Sequence, residues 1–334
     1  ATAFNKGFTP ETVLFDLPTE FQTTCNVKGK ALPGHNQKEC YMPDNYDNKF
    51  RGPMSLRDAL GQSINLVAVK LFYLAGLPDS LKTAEDMGIS TLKDINQYGL
   101  TLVIGGGEVT LLDMSSAYGV FANDGMRNPY TGILKVEDIK GKILEEYVPN
   151  IKEVLPKKTA LTISDILSDN VARTPTFGTN SALLIPGRDV AAKTGTTNSN
   201  KDAWIIGYTP SIVAGVWAGN NDNTPMKKGG AAVAGPIWNK FMNEALKSFP
   251  DEKFEKPDSF IDLNKKPILR GFWQGNENFF IDKISQKLAS PNTPPETLNE
   301  KVITNVHSIL YWVNKKDILG APPENPANDQ QFEH

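Results

Sequence analysis

The chain has 334 residues, 40% of them hydrophobic and 22% charged, with a net charge of −3. That length can bury a sizeable core and fits one large domain or two ordinary ones. Basic residues alternate with acidic ones and form no run, which argues against nucleic acid as a partner, and no apolar run approaches a membrane span.

In chain order, the opening ATAFNKGFTP lacks both Met and the basic, apolar and small segments of a signal peptide. Ala1 to Phe4 read as the last turn of a helix that began upstream. Residues 5–54, rich in Pro, Gly, Asn and Asp, read as extended loops with short strands. Within them Cys25 and Cys40 frame Pro33-Gly34. A pair this close suits a loop-closing disulfide in an oxidising compartment, with two reduced thiols as the alternative. Zinc is disfavoured, because His35 is the only further ligand nearby and the spacing matches no zinc pattern.

SLRDALGQSINLVAVKLFYLAG (55–76) opens with a capping box at Ser55 and Asp58 and runs apolar at helical spacing. A break near Ser63 divides it into two helices. VTLLDMSSAYGVFANDG (109–125) repeats the box at Thr110 and Asp113, lines up Leu111, Met114, Tyr118 and Phe121, and ends at Gly125. Residues 157–172 predict one more helix. DVAAKTGTT, AWIIGYTP and SIVAGVWAGN are short, apolar and separated by turn residues, which predicts a three-stranded antiparallel sheet. GPIWNKFMNEALKSF (235–249) predicts a helix with Pro236 in its first turn and Ile237, Phe241 and Ala245 on one face. Trp204, Trp217 and Trp238 are expected in the core. The fold class is α+β, an antiparallel sheet flanked by helices. A domain over 1–250 is followed by a Pro/Asn-rich tail or linker over 251–334, in which VHSILYWVN (306–314) reads as a short strand or helix.

IGGGE (104–108) lacks the Lys-Ser/Thr of a phosphate loop and reads as a tight turn. His35, His307 and His334 sit in loop-like contexts and none is argued to be a base. AAKTGTTNSNKDAW (191–204) is the segment with chemistry in it. The Lys193 ammonium at a strand edge can hold a carboxylate. Gly195 leaves room for a ligand backbone to lie along the strand as an extra β-partner. Thr194 and Thr196 add hydroxyls, and the Thr196 N–H can face a developing oxyanion. Read singly, these residues have plain explanations too: Ser63 as a helix cap, Asn65 as a loop amide, Lys193 as a solvated edge-strand charge and Asp202 as a turn or ion-pair residue.

RDALGQSINLVAVKL, GGGEVTLLDMSSAYGVFANDG, ILSDNVARTPTFG, VAAKTGTTNSNKDAWIIGYTP and GPIWNKFMNEAL, taken in this order, resemble the transpeptidase domain of penicillin-binding proteins, most closely the bifunctional class A type. The resemblance covers residues 1 to about 249 and implies a β-lactamase-like fold, incomplete at its N-terminus. Such enzymes carry a three-part signature of S-x-x-K, S-x-N and K-T-G. It places Lys193-Thr194-Gly195 in the third part and Ser63-Ile64-Asn65 in the second. The nucleophilic Ser and the Lys three residues after it are expected upstream of Ala1, so the chain itself holds no nucleophile. Ser90-Thr91-Leu92-Lys93 matches S-x-x-K by chance, since it follows Ser63 instead of preceding it. Ser168-Asp169-Asn170 matches S-D-N but lies too close to Lys193 in the chain.

The chemistry implied is acyl transfer from the D-Ala-D-Ala end of a peptidoglycan stem peptide, through an acyl-serine, to an amine of a neighbouring stem. By the resemblance, Ser63 relays a proton to the leaving amine. Asn65 holds the substrate amide and orients the upstream Lys. Lys193 supplies positive potential, Thr194 and Thr196 bind the carboxylate, and the Thr196 N–H completes an oxyanion hole. β-Lactams act as substrate mimics. No metal or organic cofactor is implied. The resemblance also implies a location outside the cytoplasmic membrane, with a glycosyltransferase domain and a membrane anchor upstream. The fragment alone is expected to be inactive. The alternatives are a non-catalytic binding or scaffold module of the same fold, or a D,D-carboxypeptidase in which water resolves the acyl-enzyme.

Overall fold

A computed structural model describes residues 1–258, 279–284, 290 and 293–301. After a short helix α1 (Thr2–Asn5), strand β1 (Val13–Asp16) pairs antiparallel with β2 (Gly52–Ser55). The loops between them carry a disulfide from Cys25 to Cys40, with Cα atoms 5.6 Å apart. Closing a loop of this size stabilises the folded state by about 3 kcal/mol in the chain-entropy account. Replacing both cysteines with Ala is therefore expected to cost about that much in urea unfolding. A loss below about 1 kcal/mol would mean that the loop's own hydrogen bonds already order it.

Ser55 caps α2 (Leu56–Gly61), accepting from the Asp58 N–H at 3.0 Å and donating to the Asp58 carboxylate at 2.7 Å. The break predicted near Ser63 falls at that residue, which has φ of 62°. This left-handed conformation costs a non-glycine residue roughly 1–2 kcal/mol. The helix restarts as α3 (Asn65–Ala75), followed by α4 (Leu77–Asp86) and α5 (Leu111–Ala122). Thr110 caps α5 by accepting from the Asp113 N–H at 3.0 Å.

Two small antiparallel pairs come next: β3 (Met126–Arg127) with β6 (Lys152–Glu153), and between them the hairpin β4 (Lys135–Glu137) with β5 (Ile143–Glu146). The single helix expected over 157–172 is in fact two, α6 (Lys157–Ser168) and α7 (Asn170–Phe177). Asp169 divides them. Its backbone is extended, and its carboxylate accepts from the Ala172 N–H at 2.9 Å to cap α7. A short acidic side chain competes with the helix in this way wherever an N–H lies three residues ahead.

The central sheet has the order β7 (Ala191–Thr196), β8 (Asp202–Tyr208), β9 (Val213–Gly219), antiparallel throughout as expected. Helix α8 (Gly230–Ala245) covers one face. It starts earlier than predicted, and Pro236 lies inside it instead of in its first turn. The small-residue run before Pro236 lets the helix begin hard against β7. The inward face also differs from the expected one. Ala234, Trp238 and Met242 are buried, while Ile237 and Phe241 are about half exposed, at 54% and 53%. Gly207 decides this, because a Cβ there would sit 2.2 Å from the Trp238 ring. The indole takes that space, and its N–H donates to the Ala214 carbonyl at 3.0 Å. Trp217, expected in the core, is instead exposed, and Trp204 is only partly buried.

On the opposite face α5 approaches β9 at Gly215, where a Cβ would meet Ser115 Oγ at 2.4 Å. α6 packs behind β7, with Tyr208 and Ser164 hydroxyls 3.0 Å apart. Phe254 packs edge-on against Tyr208 and is buried, and Lys256 pairs with Asp165 at 2.8 Å, so the chain past α8 runs back over the helices. Farther on, β10 (Phe279–Asp282) pairs with β11 (Leu298–Lys301). VHSILYWVN, His307 and His334 lie outside the described residues. Among the described residues no helix is long and apolar enough to cross a membrane.

Candidate active site

The residues singled out from the sequence converge where the start of α3 meets the edge strand β7. Lys193 on β7 donates from Nζ to Ser63 Oγ at 2.6 Å, across 130 residues of chain. A second bond from the same ammonium, at 2.8 Å, reaches the Thr194 carbonyl. No carboxylate among the described residues pairs with it. Desolvation of the enclosed ammonium pushes its pKa down to about 8. Among the described residues the ammonium is thus held by neutral acceptors.

Ser63 has left the role of helix cap to another residue. The cap side chain for α3 comes from Asn45, whose Oδ1 accepts from the Leu66 N–H at 3.1 Å. Asn45 is itself buried and donates to Asp16 at 2.6 Å and to the Lys49 carbonyl at 2.8 Å. Asn65 donates to the Asp44 carbonyl at 3.2 Å. The amide expected at the substrate therefore also grips the loop that brings Asn45 into place.

Thr194 and Thr196 lie two apart on β7 and so share one side of the strand. Thr196 Oγ1 accepts from the Gly230 N–H at 2.9 Å, which leaves its hydroxyl proton free to donate to a ligand. Gly195 lies opposite Trp204, and β7 is an edge strand with its far side unpaired among the described residues. The turn after β7 is held by Asp202, which accepts from Thr197 Oγ1 at 2.8 Å and from the Trp217 indole at 2.9 Å. Asp202 is thus a turn residue.

Both sequence decoys are engaged elsewhere. Ser90 donates to Asp113 at 2.6 Å, and this bond is the main cause that holds the Asp113 carboxyl below the usual range. Ser168 bonds the Asp165 carbonyl at 3.3 Å and Asn170 the Thr179 carbonyl at 3.0 Å, both at the α6–α7 break. His35 sits 3.5 Å from Glu39 on the surface.

Three residues at the site were not singled out from the sequence. Asn45 is one. Gly230 is another: a Cβ there would lie 2.3 Å from the Gly195 carbonyl oxygen. The third is Tyr46, whose hydroxyl and the Thr196 methyl each lie 3.2 Å from the point a Gly229 Cβ would occupy, which sets an exposed tyrosine beside the outer end of β7. Asn45 and Tyr46 sit in Asn-rich loop sequence and Gly230 opens α8 in a run of small residues, all without periodicity, and only the Asn-Tyr-Asp of 45–47 has turn chemistry that could mark it.

Residues 2–243 match the family described as the penicillin-binding protein transpeptidase domain. The chain belongs to that family. Penicillin-binding protein 1A of Aquifex aeolicus is 37% identical over 247 residues, 73% of this chain and 33% of that protein. The namesake of Neisseria gonorrhoeae is 28% identical over 341 residues, 99% of this chain and 41% of that protein. The chain therefore spans roughly a third to two-fifths of the length of these curated relatives. Among solved structures, penicillin-binding protein 1A of Haemophilus influenzae superposes with a TM-score of 0.64 at 25% identity, covering 91% of this chain and 46% of that one. PonA1 of Mycobacterium tuberculosis, solved in complex with penicillin V, gives 0.64 at 25% identity over 77% of this chain and 69% of that one. The α+β arrangement of sheet and helices is the penicillin-binding transpeptidase fold.

Proposed function

We propose that this chain supplies the recognition and proton-relay side of a serine D,D-transpeptidase site that cross-links peptidoglycan stem peptides outside the cytoplasmic membrane. The observation that carries the reading is the 2.6 Å bond from Lys193 to Ser63, with no carboxylate among the described residues paired to the ammonium. A terminal D-Ala carboxylate, or the carboxylate of a β-lactam, supplies the missing charge. Lys193 and the hydroxyls of Thr194 and Thr196 hold that carboxylate. Gly195 and the open edge of β7 let the peptide lie alongside as a further strand. The attacking hydroxyl comes from the serine expected upstream, with its lysine taking the proton. As the tetrahedral intermediate collapses, the peptide bond to the terminal D-Ala breaks. Ser63, polarised by Lys193, passes its proton to the departing amine and takes in return the proton that the upstream lysine removed from the attacking serine. An amine of a second stem then displaces the serine oxygen and forms the cross-link.

Fluorescent penicillin tests both halves of this reading. The 334-residue chain is expected to show no labelled band after denaturing electrophoresis. A version extended upstream through the S-x-x-K helix is expected to show one that unlabelled penicillin blocks. A surviving band on the shorter chain would overturn the absent nucleophile. No band on a folded, extended version would overturn the enzymatic reading in favour of a non-catalytic module.

A further inference from the structure

The disulfide loop holds a feature that neither the transpeptidase reading nor the disulfide itself uses. Glu20 is 1% exposed, yet its Oε2 has no hydrogen-bond partner. Its other oxygen, Oε1, accepts from the Gln22 N–H at 2.9 Å and from the Tyr41 N–H at 2.7 Å. These bonds fix the carboxylate between the two cysteine-bearing segments. A carboxylate oxygen of Glu20 and the sulfurs of Cys25 and Cys40 all lie within 4.8 Å of one another. Buried polar atoms are satisfied in the great majority of cases, so a buried carboxylate that lies this close to two sulfurs and has one oxygen orphaned calls for a partner.

We propose that the reduced form of this loop is a zinc site, with the Cys25 and Cys40 thiolates and the Glu20 carboxylate as three protein ligands and a water as the fourth. Two sulfurs and one carboxylate suit the borderline-soft, tetrahedral Zn²⁺ ion. The two N–H donors on Oε1 are the outer contacts that a ligating carboxylate needs for orientation, and they leave Oε2 free to bind the metal. The balance is simple. Two reductant thiols, which become a disulfide, or one phosphine with a water, which becomes the phosphine oxide, supply two electrons and two protons to the S–S bond and give two thiols, and Zn²⁺ displaces those two protons as it binds. Disulfide and metal are mutually exclusive closures of one loop. Cys40 is partly exposed, which gives reductant and ion a way in, whereas Cys25 is buried. The cysteine spacing alone matches no zinc pattern. Glu20 lies before the cysteine loop, and the backbone around Tyr41 brings it in.

The test uses the 334-residue chain, oxidised and phosphine-reduced, titrated anaerobically with Co²⁺ as a spectroscopic stand-in and then with Zn²⁺. The reduced chain is expected to develop a thiolate-to-cobalt charge-transfer band and tetrahedral visible bands at one equivalent, and to lose them to Zn²⁺. The oxidised chain is expected to develop none. Cys25→Ser should abolish the bands. Glu20→Gln, whose oxidised form should melt normally, should weaken Co²⁺ binding at least about tenfold. Zinc should also raise the melting temperature of the reduced chain and leave that of the oxidised chain unchanged. The site is overturned if the reduced wild type gives no bands and no melting shift, or if Glu20→Gln binds Co²⁺ as tightly as wild type, since the sulfurs alone would then account for any uptake.

Discussion

Lys193→Ala, in a version carrying the upstream serine, is expected to slow acylation by penicillin about 10²- to 10³-fold while the protein stays folded. That is the scale on which a single preorganised electrostatic contact in an acyl-transfer site acts. The ammonium bonds Ser63 and one carbonyl, and among the described residues it has no ion pair to lose. Burial holds its pKa at about 8. It is charged below that pH and neutral above it, so carboxylate binding and acylation should fall as pH rises through about 8. Lys193→Arg keeps its charge throughout and should remove this alkaline limb, even if its bulk lowers the plateau.

Stability should move the other way over the same range. A lysine whose folded pKa lies below its unfolded value binds fewer protons folded than unfolded between the two, so raising the pH through that window stabilises the fold. Lys193 and Lys70 are both depressed to about 8 from 10.5 by burial. Between pH 8 and about 10 the protein should therefore grow harder to unfold while acylating more slowly. Lys193→Met should melt higher than wild type at pH 7. Acylation unchanged in Lys193→Ala, or a loss of activity that tracks loss of fold, would move the site elsewhere.

The parts legible in the sequence are those specified by neighbours in the chain. Lys193 through Thr196 read as a strand because a short apolar segment and its flanking turn residues are local, and the break near Ser63 falls within one helical stretch of the chain. The inward face of α8 was not legible. Periodicity tells which residues share a face, and Ile237, Phe241, Trp238 and Met242 are all apolar. The choice between the faces is made by Gly207, on a strand whose facing no residue in α8 encodes. The cap of α3 was hidden for a similar reason. Asn45 sits 21 residues before the N–H it satisfies, and Ser63, the nearer candidate, is committed to Lys193 instead. The residues that position the site, Asn45 and Gly230 among them, act through contacts distant in sequence, whereas those assigned to touch substrate fall in short contiguous motifs.

Gly230 offers the sharpest separation of site from scaffold. Gly230→Ala is expected to reduce acylation about tenfold to a hundredfold with the core intact, and Gly207→Ala to do the reverse. A Cβ on Gly230 would fall 2.3 Å from the Gly195 carbonyl oxygen and 2.8 Å from Thr196 Oγ1. Neither contact is tolerable, so the first turn of α8 or the outer end of β7 must move. That end of β7 carries the proposed carboxylate-binding hydroxyls, and the shift would also lengthen the 2.9 Å bond from the Gly230 N–H to Thr196. Trp238, two turns farther along, stays seated over Gly207, so little stability should be lost. In Gly207→Ala the added carbon instead meets the Trp238 ring at 2.2 Å and the Ala191 carbonyl oxygen at 2.9 Å, in the centre of the sheet–helix interface. Overpacking of this kind costs about 1–3 kcal/mol or more. Penicillin acylation rates and urea unfolding, measured on both variants of the extended protein, should therefore give opposite rankings. Equal damage to both properties in both variants would mean that β7 and α8 move as one rigid unit, and that the cleft is not set by the close approach at Gly230.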